Sequence, residues 1–303
     1  TQYLGNIGAT FFTFTDRYSG MVKKKALVLR CEELAVDFRV ENLANHVLPR
    51  DWRKLTIEGM EFTYNDWRET PHLTVDSCDI RHGERIACVG NSGGGKTTFA
   101  MLLRGMRRPQ KLKLSVDGVS IEDGFAGISR AIALSPQAPE TFAITIRSNI
   151  TFDVEPEPWQ LEKALEVSCF REVVDKLPNG LETSLKEKGV NLSGGQRQRL
   201  GIARAILVAM REEKDILVLD EPTASMDKLV EVEFLLRLFE EFRKQAIVAI
   251  LHSVHLAHLF DRIFFFHEGR LAAVGTYDEL MQSCPEFVAL CKAGERVPQP
   301  VEA

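Results

Sequence analysis

The apolar run Ile86-Ala-Cys-Val89 leads without a break into Gly90-Asn91-Ser92-Gly93-Gly94-Gly95-Lys96-Thr97, with Thr98 next in line. This segment restricts the fold of the 303-residue chain more than any other. It fits G-x-x-x-x-G-K-[ST] in the context that pattern needs, a strand before it and a helix after it. Glycines let the backbone curl so that successive N–H groups point inward at phosphate oxygens. The helix beginning near Lys96 adds the positive end of its dipole. Lys96 can reach the β- and γ-phosphates of a nucleotide, and the Thr97 hydroxyl can bind Mg²⁺. A Gly-rich turn beside a surface lysine spells the same letters, so a second element is needed.

Ile216-Leu-Val-Leu219 supplies it, an apolar strand that ends in Asp220 and Glu221. An Asp at that position can hold a hydrated Mg²⁺, and the adjacent Glu can polarise an attacking water. Two phosphate-chemistry elements in this order imply nucleotide hydrolysis and leave the base open. Ala131 to Leu134 and Ala246 to Leu251 are further compact apolar runs, of the kind that form parallel strands buried on both faces. Helical segments lie between them at Trp159 to Val167, Gln196 to Met210 and Leu229 to Lys244. The fold class is therefore α/β. Thirty-eight basic against 43 acidic residues, a net charge of −5, give no reason to expect nucleic acid as a partner. The six cysteines (Cys31, Cys78, Cys88, Cys169, Cys284 and Cys291) form no C-x-x-C pair and read as thiols of a reducing compartment. No run approaches the roughly 18 to 20 apolar residues of a membrane-spanning helix.

Leu192-Ser193-Gly194-Gly195-Gln196 decides among phosphate-loop proteins. A hydroxyl and backbone N–H groups at a helix start face an anion. The pentapeptide and the following Arg197-Gln-Arg-Leu-Gly-Ile-Ala-Arg204 resemble the signature of ATP-binding cassette (ABC) ATPases. The resemblance runs from about residue 55 to 285. It implies a P-loop NTPase (RecA-like) core with a mostly parallel sheet, an antiparallel β subdomain and an inserted α-helical subdomain carrying the signature. It also implies ATP and Mg²⁺ as ligands. Tyr64 resembles the aromatic that stacks on adenine, with Phe62 as the fallback. Gln137 resembles the residue that joins Mg²⁺ coordination beside Thr97 and Asp220 and senses a membrane domain. Glu221 is similar to the general base and His252 to the switch histidine on the γ-phosphate, with His255 as the competitor. Lys96 completes the catalytic set. Asp227 resembles the residue communicating between two ATP sites, and Glu187 the acid that exporters use against intracellular loops. Ala224-Ser-Met-Asp227, Ser253 and Lys186 depart from the usual Ser-Ala-Leu-Asp, Arg and Gly. They bear on contacts between subunits and leave the hydrolytic groups complete.

Residues 1–53 differ from the rest, and 54–303 are expected to form the ATPase domain. The chain starts at Thr1, and Ala26 to Leu34 has helix-forming composition ahead of a linker, Asn42 to Arg53, that contains Pro49. On its own this stretch fits an amphipathic surface helix. Beside the resemblance it is similar to the cytoplasmic end of the last transmembrane helix of an exporter-type half-transporter, which would make this chain the C-terminal part of a larger subunit. The implied partners are a second ABC ATPase domain, identical or related, and the coupling helices of a transmembrane domain, at the cytoplasmic face of a membrane. The alternative is a non-transport or free-standing ABC ATPase acting with separate partners.

Overall fold

The computed structural model describes residues 48–64, 70–152, 154–185, 192–224 and 226–295. The N-terminal extension up to residue 47 lies outside the described residues, as do Lys186, Glu187 and Ser225. Ten strands form one sheet: β1 (Lys54–Phe62), β2 (Leu73–Arg81), β3 (Arg85–Gly90), β4 (Lys111–Val116), β5 (Val119–Ser120), β6 (Ile132–Ser135), β7 (Ile216–Asp220), β8 (Ala246–Ile250), β9 (Arg262–His267) and β10 (Arg270–Gly275). Their order is β5-β4-β1-β2-β10-β9-β3-β8-β7-β6. The helices are α1 (Lys96–Leu103), α2 (Phe125–Ile128), α3 (Ile146–Thr151), α4 (Pro158–Val167), α5 (Arg171–Asp175), α6 (Gly194–Arg211), α7 (Lys228–Glu241), α8 (Tyr277–Ser283) and α9 (Pro285–Glu295).

The strands β6, β7, β8, β3 and β9 run parallel, in register from Leu134 through Val218 to Val248. Each of the four apolar runs identified in the sequence becomes one of these strands. Alternation along them feeds two cores. Ala87, Val89, Leu217, Leu219, Ile247 and Ala249 face the core that also holds residues of α4, α6 and α7. Ile86, Cys88, Ile216, Val218, Val248 and Ile250 face the other, with Phe99 and Leu103 of α1. A strand covered on both faces has no polar side to show, which explains the unbroken apolar sequence. Each fully buried Ile, Leu or Phe contributes roughly 1.5–3 kcal/mol.

The antiparallel part, β1 with β2 and β4, and β4 with β5, continues the same sheet through one parallel bridge, Arg270 to Thr74. Between β6 and β7 the chain inserts α3 to α6, and α6 returns to pack on α3, α4 and β6. Residues 48–53, expected to be linker, reach into the domain. Leu48 and Trp52 are buried in the core beside α1, and the Trp52 indole N–H donates to Asp215 Oδ1 at 3.1 Å just before β7.

Candidate functional site

Because β3, β6, β7 and β8 are parallel and adjacent, the residues that follow them gather at one sheet edge. That edge, beyond the carboxyl ends of parallel strands, is where α/β sheets bind ligands. It collects the Gly90–Thr97 loop after β3, Gln137 after β6, Asp220 and Glu221 at the end of β7, and His252 after β8.

The loop turns on glycines that no other residue can replace without strain. Gly90 has φ 147°, and an added Cβ would stand 1.9 Å from the Phe266 carbonyl oxygen on β9. Gly95 caps α1 at φ 98°. Lys96, the first residue of α1, is buried and folds its Nζ back to donate to the carbonyl oxygens of Gly90 at 2.7 Å and Asn91 at 2.9 Å. Burial pulls its pKa down from the ordinary lysine value, and the carboxylates of Glu221 and Asp220 oppose that shift. The ammonium is thus held by two carbonyls of the loop that would cradle a phosphate.

Thr97 Oγ1 donates to Asp220 Oδ1 at 3.3 Å. Burial, with Glu221 adding to it and Thr97 and Lys96 opposing it, pushes the Asp220 carboxyl up to about 6. The site thus has a hydroxyl and a buried carboxylate side by side, with an amide close at hand in Gln137, all hard oxygen donors. Among the described residues no group of three or more His, Cys, Asp or Glu side chains is placed to hold a metal. That donor set fits Mg²⁺, which binds through one or two protein oxygens and completes its shell with phosphate and water.

Glu221 has φ 48°, a left-handed conformation that is uncommon outside glycine. Three contacts hold it there. Its N–H donates to the Ile250 carbonyl at the end of β8, at 3.0 Å. Its Oε2 accepts from Gln137 Nε2 at 2.7 Å, and its carbonyl accepts from Gln198 Nε2 on α6. Gln137 and the carboxylate are therefore in direct contact, although 84 residues apart. Gln198 was not singled out from the sequence, and its only signal is its place two residues beyond the signature.

Tyr64 stands just past the end of β1 and is 46% exposed. Its hydroxyl shares a 2.9 Å hydrogen bond with Thr98 Oγ1, which places the ring beside the phosphate loop. Phe62 and His72 meet the ring edge-on, and the Arg107 guanidinium lies 5.7 Å from its centroid. Phe62, the fallback, is 3% exposed and committed to the core. His252 is exposed after β8, whereas His255 lies 3.6 Å from the Glu231 carboxylate.

The signature begins α6. Ser193 Oγ accepts from the Gln196 N–H at 3.2 Å, and the Gln196 side chain accepts from the Ser193 N–H at 2.9 Å. This capping box satisfies two donors and leaves Gly194 and Gly195 among the first-turn N–H groups without a helical partner. Ser193 and Gly194 are exposed, and a Cβ on Gly194 would meet no atom of the described residues within 4 Å. A second glycine of the helix, Gly201, has the opposite surroundings: a Cβ there would lie 2.4 Å from Pro139 Cβ, so α6 packs directly on the segment that carries Gln137. Asp227 is exposed at the start of α7 and makes no cap hydrogen bond there.

Known proteins resemble this chain over the same elements. The family described as ABC transporter matches residues 73–224, half of the chain. An ATP-dependent lipid A-core flippase of Chromobacterium violaceum is 34% identical over 237 residues, which is 78% of this chain and 40% of the flippase. The ABC multidrug transporter MDR2 of Trichophyton tonsurans is 35% identical over 236 residues, 76% of this chain and 17% of that protein. The solved structure of a bacterial Atm1-family ABC exporter with ATP bound matches with a TM-score of 0.77 at 26% identity, over 92% of this chain and 48% of the exporter chain. The chain spans less than half the length of these relatives. It belongs to the ABC transporter family, whose ATP-hydrolysing domain of the exporter type it carries.

Proposed function

We propose that this chain powers export of a substrate across a membrane, as one of two ATPase domains that close around two ATP molecules and reopen after hydrolysis. The convergence of Lys96, Thr97, Gln137, Asp220, Glu221 and His252 at one sheet edge carries this proposal.

The N–H groups from Gly90 to Thr98, together with Lys96, bind the phosphates, and Tyr64 stacks on adenine. Thr97 and Asp220, joined by Gln137, would hold Mg²⁺, which when bound neutralises charge on the phosphate oxygens. Glu221 accepts the proton of the attacking water at its carboxylate, and Gln137 keeps that carboxylate aimed at the site. Lys96 and His252 stabilise the charge on the phosphoryl group as it moves to water. Ser193, Gly194, Gly195 and Gln196 would complete the ATP site of the partner domain. The open space over Gly194 supports contact with another chain, because none of the described residues requires a glycine there.

Gln137, in contact with Glu221, is followed five residues later in the chain by Phe142, the first of several exposed apolar side chains. Phe142 and Phe152, each 49% exposed with rings 6.0 Å apart, belong to this set with Ile144 and Val154. Coupling helices of a transmembrane domain would meet these side chains from the cytoplasmic side. Residues 1–53 would then form the cytoplasmic end of the last membrane helix and its linker, with 54–303 as the ATPase domain. An identical or a related partner domain would serve equally well.

Export is tested by measuring ATP turnover of the polypeptide that carries this chain, in lipid vesicles and in detergent, with and without duplex DNA. Turnover that responds to the bilayer and ignores DNA is expected. Stimulation by DNA with no response to the bilayer would contradict export.

A further inference from the structure

Glu231 belongs to none of the groups described above, yet it is 6% exposed on the first turn of α7. Its carboxylate lies 3.6 Å from His255 Nε2 and has the Thr223 side chain beside it. A buried carboxylate is costly, and an apolar residue of similar volume would avoid that cost. The ion pair does little to offset it, because the His255 side chain is 52% exposed and the pairing is screened by water. The two contacts have a geometric consequence instead.

Thr223 is part of the turn that carries Glu221. Within that turn the Ala224 N–H donates to the Glu221 carbonyl at 3.3 Å, and the Met226 N–H donates to the Thr223 carbonyl at 3.0 Å. His255 is part of the short 3₁₀ segment Val254–Leu259, which begins two residues after His252. The turn leaves β7 and the 3₁₀ segment leaves its neighbour β8. Among the described residues one backbone hydrogen bond joins the two at the sheet edge, from the Glu221 N–H to the Ile250 carbonyl. Beyond the edge the chain is free of the sheet, and Glu231 joins them a second time.

Resting on the proposal that Glu221 and His252 act on the same phosphoryl group, we propose that Glu231 is a positioning residue that sets their spacing by holding Thr223 and His255 together. It acts through these two clamps.

The test is steady-state ATP hydrolysis by the chain with Glu231→Ala, Glu231→Gln, His255→Ala and the double variant Glu231→Ala/His255→Ala, each normalised to folded, ATP-binding protein. Misplacement of reacting groups by a fraction of an ångström to 1 Å predicts a kcat loss of roughly 10- to 100-fold in Glu231→Ala. The KM for ATP should stay within about twofold, since no ATP contact is removed. Glu231→Gln keeps an acceptor for Thr223 and should retain more activity than Glu231→Ala; it also keeps the test available if Glu231→Ala does not fold. His255→Ala should lower kcat in the parent chain and add little in the Glu231→Ala background. An unchanged kcat in Glu231→Ala and Glu231→Gln, or losses that multiply in the double variant, would overturn the assignment. Glu221→Gln run in parallel separates the two failures. Normal turnover in that variant defeats the base role itself, whereas a dead Glu221→Gln beside normal Glu231 variants defeats only the clamp.

Discussion

Glu221 occupies a left-handed backbone position that costs a non-glycine residue energy. The strain persists because Ile250, Gln198 and Gln137 each hold a different atom of the residue. Its chemistry was legible from sequence, since an apolar strand ending in two acids announces the position. The holding contacts were not, because they come from residues 84 and 23 positions away in the chain. Tyr64 was legible in part. Tyr64 and Phe62 have the same parity along the chain, and only the end of β1 at Phe62 decides which of them is free of the core. Replacing Tyr64 by Ala should weaken ATP binding by roughly 10- to 100-fold, the worth of one base–aromatic stack, while Tyr64→Trp keeps most of the affinity. Titration with ATP monitored by calorimetry checks this, and equal affinity for all three proteins would remove Tyr64 from the adenine site.

At the scale of elements, the sequence placed four of the five parallel strands because each is buried on both faces and shows no alternation to confuse the pattern. The inserted helices α4 and α6 were equally plain, each opened by a capping box. What did not show was how elements meet. Gly201 reads as a weak point in a helix until Pro139 is found against it. Arg262 at the start of β9 reads as a surface charge until it is seen to pair with Asp79 on β2 at 3.2 Å and Glu84 before β3 at 2.8 Å. Burial alone would raise the Asp79 pKa, but the hydrogen bond and charge of Arg262, with Arg81 beside it, carry it below the ordinary 3.8. A carboxylate whose folded pKa is depressed stabilises the fold above the unfolded value and loses that contribution as pH falls through the folded one. Asp79→Asn should therefore destabilise the chain by about 1.5–3 kcal/mol at pH 7, the range for a hydrogen bond to a charged group. Urea unfolding should show that difference shrinking as the pH is lowered from about 5 toward 3, below the usual carboxylate range. A difference that is constant across pH would mean that the pair does not carry the stability.

At the largest scale, ten strands among the described residues form a single sheet in which a parallel half supplies the phosphate site and an antiparallel half supplies Tyr64. The division was expected as a core and a subdomain, and one bridge between β2 and β10 makes them one sheet. The signature turn stands exposed at the start of α6, with its glycine open to solvent and its own cap satisfied. Under the proposed function a second domain brings an anion to this turn, so that one chain would hold the parts of two half-sites. In the proposed reaction Glu221 activates water for ATP hydrolysis at this edge. The most direct measurement is ATP turnover by Glu221→Gln beside the parent chain at saturating ATP. The glutamine keeps the volume and the hydrogen-bonding reach toward Gln137, so ATP affinity should be preserved while turnover falls by roughly 10²- to 10⁴-fold. Turnover within a few-fold of the parent chain would contradict the assignment.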